Sequence, residues 1–225
     1  MEKISQWPLQ ERPREKLLLC GAGRLSDAEL LAVILGRGSS GRSALSIARH
    51  LVNKFGSLHG IANASREELL SIGGVGHAFY ATLQSAIEIM RRQLAEPLKR
   101  ESVFSRVDDT RQYLIAMLKD QPRELFGLLM LDSQHQLLFF REMFQGTINA
   151  AAVYPRELVK QVLADNAAAI ILVHNHPSGV AEPSQADIHL TRDVKAAMAL
   201  IDVAVLDHFI VGGTQVSSLA QRGYV

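Results

Sequence analysis

The sequence predicts a mixed α/β (α+β) protein in which a small all-helical domain precedes a domain built on a β-sheet. Apolar residues of the first hundred positions recur at helical spacing, and glycines separate the groups. Strand-like apolar runs begin only after residue 124 and alternate with helical segments. Residues 91–110 mix charged side chains with a proline, which is typical of a linker. We therefore expect two domains, covering residues 1–99 and 100–225.

The helices of the first domain are predicted from apolar stripes and from the residues at their ends. They cover residues 28–35, 43–55 and 78–92, with a shorter helical segment after Ser65. Ser26 is placed to cap the first helix, and Gly56 to end the second. Ser65 and Glu68 have the spacing of a capping box. The glycine-rich stretch "IGGVG" then interrupts the chain before the last helix.

The second domain alternates between segments with helical apolar spacing and segments with strand-like apolar runs. A helix is predicted over residues 111–118, and proline at a first-turn position begins another that runs from Pro155 to about Asp165. A third helix covers residues 184–200. Strands are predicted over residues 125–131, 137–144, 168–173 and 203–211. The third strand is continuously apolar, which favours a central place in the sheet.

Composition excludes several classes of protein. Among 225 residues, 48% are hydrophobic and 21% charged, as in soluble globular proteins. The apolar run 167–173 is too short to span a bilayer, and the N-terminal residues do not resemble a secretory signal. We therefore expect a cytoplasmic protein without membrane association. The single cysteine, Cys20, excludes an internal disulfide, a thiolate-rich zinc site and the cysteine pair of zinc deaminases.

Charge is divided unevenly between the halves. Residues 1–100 hold 14 basic and 9 acidic residues, a net charge of +5, whereas residues 101–225 hold 10 and 14, a net charge of −4. An anionic partner such as DNA would therefore meet the first half. Ordinary surface variation is the alternative interpretation of a difference this small.

The stretch "ILVHNHPSGVAEPSQAD" suggests a metal site. His174 and His176 are two apart at the end of a strand, so their imidazoles share one face. Asp187 lies near the start of the next helix and is able to reach back towards them. Two imidazoles and one carboxylate are typical of catalytic zinc sites, which keep a fourth position for water. The alternative is that both imidazoles only hydrogen-bond to loop carbonyls.

The spacing from His174 through His176 and Ser184 to Asp187 resembles the signature of JAMM (MPN+) metalloproteases. The stretches "AAAIILVHNHPSG" and "VLDHFIVG", and "LSDAELLAVILGRG" in the first half, resemble the RadC branch of that family. The resemblance implies a curved mixed sheet flanked by helices, a bound Zn²⁺ ion, and hydrolysis of a peptide or isopeptide bond in a peptide or protein substrate.

The resemblance also implies roles for other residues. Glu124, at the start of the first strand, occupies the place of the general base, and Glu142 in the next strand is the other candidate. Ser184 would donate a hydrogen bond to the developing oxyanion, or cap the helix, or do both. Asp207 and His208, in the last strand, either support the metal site or form a satisfied buried pair.

The stretch "IGGVG" resembles the hairpin of a helix-hairpin-helix DNA-binding motif. Gly74 and Gly76 take the two glycine positions, where the backbone approaches a phosphate. The usual basic residue after the hairpin is missing, and a glycine turn between two packed helices is the other interpretation. A DNA-binding, DNA-repair-associated protein with a structural or vestigial metal site is therefore the alternative function.

Overall fold

The computed structural model describes residues 6–39, 41–119, 121–146 and 153–225. The chain forms two compact units, Met1–Ile89 and Met90–Val225. Their boundary lies before the expected one at residues 99 and 100, because Leu98, inside the expected linker, is buried in the core of the second unit. The mixed α/β class, with a sheet-containing part after a helical one, is confirmed. Within the described residues, no helix has the length and apolarity needed to cross a membrane.

The first unit is helical. Its helices are α1 (Pro13–Cys20), α2 (Asp27–Leu35), α3 (Ala44–Phe55), α4 (Leu58–Asn63), α5 (Arg66–Leu70) and the first part of α6 (His77–Ala95). The predicted ends are confirmed: Ser26 and Ser65 each form a capping box, and Gly56 ends α3 in the left-handed conformation. Helices α1 and α4 were not predicted. Both are short, and α1 keeps Leu18 and Leu19 exposed instead of presenting a regular buried stripe.

The turn before α6 is held tightly against α3. Gly74 has a φ of 93°, a conformation that side chains other than glycine rarely adopt. A Cβ atom added there would lie 2.5 Å from Ile47 Cδ1, whereas one added at Gly76 would meet no atom within 4 Å. This close approach agrees with the interpretation of the stretch as a turn between packed helices.

The second unit contains a five-stranded mixed sheet. After α7 (Val107–Leu118), its elements are β1 (Leu125–Leu131), β2 (Leu137–Gln145), α8 (Pro155–Ala164), β3 (Ala169–Asn175), α9 (Gln185–Ala199), β4 (Ala204–Gly212) and β5 (Gln215–Ser218). The strand order is β2-β1-β3-β4-β5, and every neighbouring pair is antiparallel except β3 with β4. Strand β5, four residues long, was not predicted. Residues 147–152 lie outside the described residues.

Alternation along β1 and β3 decides which side chains face which helices. Leu129 and Ile171 belong to the core that includes α7, whereas Leu128 and Leu172 belong to the core with α8 and α9. His174 lies two residues beyond Leu172 and therefore faces the side of α9. The end of β3 and the start of α9 thus meet on one face of the sheet, where the histidines and Asp187 were expected.

Candidate metal centre

Three predicted ligands converge at the end of β3. His174 Nε2 lies 3.0 Å from His176 Nε2 and 3.2 Å from Asp187 Oδ1, and His176 Nε2 lies 3.7 Å from Asp187 Oδ2. The backbone N–H of His176 donates to Val211 O at 2.8 Å, so the chain stays paired with β4 beyond the last strand residue. Within the described residues, this is the one group of histidine, cysteine or acidic side chains close enough to share a metal ion.

The start of α9 orients the Asp187 carboxylate. Ser184 is the N-cap, and its hydroxyl accepts from the Asp187 N–H. The Ser184 backbone N–H and hydroxyl both donate to Asp187 Oδ2, at 2.7 and 2.6 Å. Because these bonds hold Oδ2, Oδ1 is the oxygen that lies nearest His174. Of the two roles predicted for Ser184, the structure contains the helix cap, with the hydroxyl proton directed at Asp187.

The Asp187 carboxyl is held ionised. Partial burial opposes its ionisation, but hydrogen bonding and charge attraction from His174, together with the bonds from Ser184, outweigh that cost and lower the pKa of Asp187 well below its usual range. The group therefore presents a full negative charge to the two imidazoles across the neutral pH range. Anionic oxygen is a suitable ligand for a divalent cation.

A chain of hydrogen bonds fixes which nitrogen of His174 carries a proton. The Thr191 hydroxyl donates to Asp187 O at 2.6 Å, so its oxygen must accept from His208 Nδ1, 2.7 Å away. His208 is fully buried, and this burial lowers its pKa well below the ordinary value, so the ring is neutral and its Nε2 accepts. The atom that donates to it is His174 Nδ1, at 2.8 Å. In the neutral form of His174, Nε2 therefore carries a free lone pair.

A different contact places the proton of His176 on Nδ1 as well. Its Nδ1 lies 2.8 Å from Val180 O, and because a carbonyl only accepts, Nδ1 must donate. The neutral ring then has its lone pair on Nε2. When both rings are neutral, two imidazole nitrogens and the Asp187 carboxylate thus direct lone pairs at one point, whereas a proton on His174 Nε2 would let that ring bond to Asp187 as a cation. A cation must balance this arrangement, either a metal ion or an extra proton on one ring.

The distances fit a zinc ion. Zinc binds histidine nitrogen at about 2.0–2.1 Å in tetrahedral geometry, so neighbouring ligand atoms are about 3.3 Å apart. His174 Nε2 lies 3.0 Å from His176 Nε2 and 3.2 Å from Asp187 Oδ1, both close to that value, and His176 Nε2 lies 3.7 Å from the other Asp187 oxygen. Three protein ligands of this kind are also the set found in catalytic rather than structural zinc sites.

Sheet register distinguishes the two candidate general bases. Phe126 pairs with His174 at the end of the antiparallel β1–β3 ladder, and Glu124, two residues before Phe126, lies on the same face of the chain by strand alternation. Glu142 pairs with Gly127, which belongs to the row of β1 that faces α7. Residues paired directly share a face. The register therefore favours Glu124, on the face of the histidines, over the exposed Glu142.

Comparison with known proteins agrees with this architecture. Residues 104–224 match the family described as RadC-like JAB domain, and residues 4–81 match the UPF0758 N-terminal family. The chain belongs to the RadC family. A UPF0758 protein of Alteromonas mediterranea is 61% identical over 220 residues, which cover 98% of each chain. One from Pseudoalteromonas atlantica is 56% identical over 223 residues, covering 99% of this chain and all of the relative.

In this RadC-family chain, Asp207 and His208 serve separate neighbours. The Asp207 carboxylate accepts from Ser218 Oγ at 2.6 Å and from the Ala220 N–H at 2.9 Å, and so ties down the C-terminal residues. The His208 ring faces His174 instead. Both residues are buried and hydrogen-bonded, as expected of a satisfied buried pair, but their side chains have different partners because successive residues of β4 point to opposite faces. Neither Thr191 nor Asn175 was predicted to have a role.

Proposed function

We propose that the chain is a zinc-dependent hydrolase of the JAMM type that cleaves a peptide or isopeptide bond. The observation that carries the proposal is the convergence of two imidazole nitrogens, from His174 and His176, and the Asp187 carboxylate on one point at the end of β3. Membership in a family with a RadC-like JAB domain supports the same conclusion. His174 Nε2, His176 Nε2 and Asp187 Oδ1 would hold the ion.

Each residue of the site then has a defined task. When bound, zinc lowers the pKa of a coordinated water to about 7 and polarises the scissile carbonyl. Glu124 would take the proton of the attacking water and return it to the leaving amine. Ser184 would keep Asp187 Oδ2 occupied so that Oδ1 remains available. Hydrogen bonds from His174 Nδ1 and His176 Nδ1 keep both Nε2 lone pairs directed at the ion.

Metal content and hydrolysis test the proposal together. The protein is produced with zinc in the medium, its metal is counted, and it is assayed on a mixture of internally quenched peptides and isopeptide-linked peptides. We expect about one zinc per chain, lost in His174→Ala and in Asp187→Ala. Glu124→Gln should keep the zinc and lose hydrolysis by about 10²- to 10⁴-fold.

Glu142→Gln is the matched control for the general base. It makes the same neutral replacement one strand away, on the opposite face, and should leave both zinc content and hydrolysis unchanged. A metal-free protein would contradict the proposal. Equal losses in Glu124→Gln and Glu142→Gln would contradict the assignment of the base while leaving the metal site in place.

A further inference from the structure

Asn175 lies between the two histidines and points to the opposite face of the sheet. The residue is buried, with only 1% of its surface exposed, and its side-chain hydrogen bonds join it to backbone near the start of β1. Its Oδ1 accepts from the Leu125 N–H at 2.8 Å. Its Nδ2 donates to Gln121 O at 3.3 Å and to Arg123 O at 3.2 Å. One side chain therefore binds three backbone groups of a single short segment.

These contacts require an amide side chain. The Leu125 N–H needs an acceptor, whereas the two carbonyls need donors, and among side chains of this length only asparagine supplies both. The β1–β3 ladder has Phe126 and His174 as its last pair, so the Asn175 side chain replaces the next backbone bond. The segment before β1 is thus attached to the strand that carries the histidines by a side chain and not by the regular ladder.

Glu124 lies in the middle of the segment that Asn175 binds. The bonded carbonyl of Arg123 precedes it, and the bonded N–H of Leu125 follows it. On the other side, the Glu124 carbonyl accepts from the Gly146 N–H at 2.7 Å. Both peptide groups that flank Glu124 are therefore held, which fixes the direction in which its side chain leaves the backbone.

We propose that Asn175 is the positioning residue that directs the Glu124 carboxylate at the metal centre. The inference rests on the proposed function, in which Glu124 is the general base. Because His174, Asn175 and His176 are consecutive, the metal ligands and the residue that holds the base share one rigid piece of backbone. Displacement of a catalytic group by about 1 Å lowers rates by about 10²-fold. A rigid connection between the metal ligands and the general base would prevent such a displacement.

The test uses the full chain and zinc as the only added probe. Glutamate side chains are labelled with ¹³C at the carboxyl carbon, and the Glu124 signal is assigned by its absence in Glu124→Gln. Zinc is then titrated into wild type, Asn175→Ala and Asn175→Asp while its stoichiometry is measured. Asn175→Asp keeps an acceptor for Leu125 but sets a carboxylate oxygen against the carbonyls of Gln121 and Arg123.

Thr110→Val is the matched control. Thr110 is a buried polar residue of the same unit, and its hydroxyl also bonds to backbone carbonyls, those of Val103 and Arg106. The variant loses a comparable buried hydrogen bond away from Glu124. Amide exchange at Leu125 is followed in every variant, and it shows directly whether the bond to Asn175 Oδ1 is present.

We expect zinc to shift the Glu124 carboxyl signal in wild type and in Thr110→Val. In Asn175→Ala and Asn175→Asp the shift should fall by at least half while about one zinc still binds. Exchange at Leu125 should become about tenfold faster in Asn175→Ala, as expected for the loss of one buried hydrogen bond. Asn175→Asp should keep most of that protection and still lose the zinc-induced shift.

Each contrary result points to a different error. An unchanged Glu124 shift in both Asn175 variants would overturn the positioning role alone. Zinc binding without any shift of the wild-type Glu124 signal would remove Glu124 from the metal centre and overturn the inference with it. A wild-type protein that binds no zinc would instead overturn the proposed function.

Discussion

At the scale of single residues, the imidazole of His208 connects the hydrophobic core to His174, a ligand of the proposed metal centre. It is fully buried and neutral. Its Nε2 accepts a hydrogen bond from His174 Nδ1, and its Nδ1 donates one to the Thr191 hydroxyl. A buried polar group without partners costs about 1–3 kcal/mol, so each member of this chain constrains the next. Rigid support of this kind typically changes metal affinity by about 10–100-fold.

We therefore predict that His208→Phe lowers zinc affinity by about 10–100-fold, because the ring is kept but the acceptor for His174 is lost. Competition with a chromogenic chelator measures the effect. His189→Phe is the control, since it makes the same replacement at an exposed position of α9 and should bind zinc as wild type does. Equal zinc affinity in both variants would show that His208 does not support the site.

At the scale of elements, the first turn of α9 both caps a helix and holds a ligand. We predict that Ser184→Ala destabilises the protein by about 1 kcal/mol, the usual cost of losing an N-cap. It should also weaken zinc binding several-fold, because Asp187 Oδ2 loses the hydroxyl bond. Chemical denaturation measures the first effect, and zinc competition the second.

Ser26→Ala is the matched control for that prediction. Ser26 forms the capping box of α2 with Glu29, so its loss should cost a similar free energy of unfolding without altering zinc affinity. If both variants weaken zinc binding equally, general destabilisation explains the result. If neither does, the cap does not orient Asp187.

The turn before α6 gives a second prediction for an element. Gly74→Ala should destabilise the protein by about 1–3 kcal/mol, because the added Cβ strains a left-handed backbone and presses on Ile47. Gly76→Ala, in open space, should change the free energy of unfolding by less than about 0.5 kcal/mol. Similar effects of the two substitutions in a denaturation experiment would contradict this account of the turn.

DNA binding by the same hairpin remains a prediction from the sequence. The basic first half and the two glycines motivate it, and the phosphate would meet the backbone near Gly76. Retention of the full chain on duplex or branched DNA should then fall as salt rises and disappear in Gly76→Asp. Retention that is unchanged by this substitution would exclude the hairpin as the binding element.

At the scale of the whole molecule, the sequence predicted what depends on local periodicity. The four longer strands and the capped helices α2 and α3 follow from apolar spacing and end residues. Strand β5 was not predicted because four residues are too few to show a periodicity. Its pairing with β4 is what identifies it as a strand. The boundary between the compact units lies before the expected one, and the burial of Leu98 in the second core depends on contacts distant in sequence.

In the site, too, local sequence predicted some features, whereas features that depend on distant contacts were not predicted. His174, His176 and Asp187 were found because strand alternation and a helix start place them from nearby residues. The contact that orients His174 joins it to His208, 34 residues away, and the contact that holds the segment of Glu124 joins Asn175 to Leu125, 50 residues away. Such pairs meet only because β3 lies between β1 and β4 in the sheet. The spacing of residues along the chain does not predict the order of the strands in the sheet.

The central claim is that one cation is bound by two histidines and one aspartate. Diffraction from crystals grown with zinc, recorded on both sides of the zinc absorption edge, tests it most directly. We predict a single anomalous peak about 2.0–2.2 Å from His174 Nε2, His176 Nε2 and Asp187 Oδ1, with no fourth protein atom in contact. The absence of a peak there, or a fourth protein ligand on the ion, would contradict the claim.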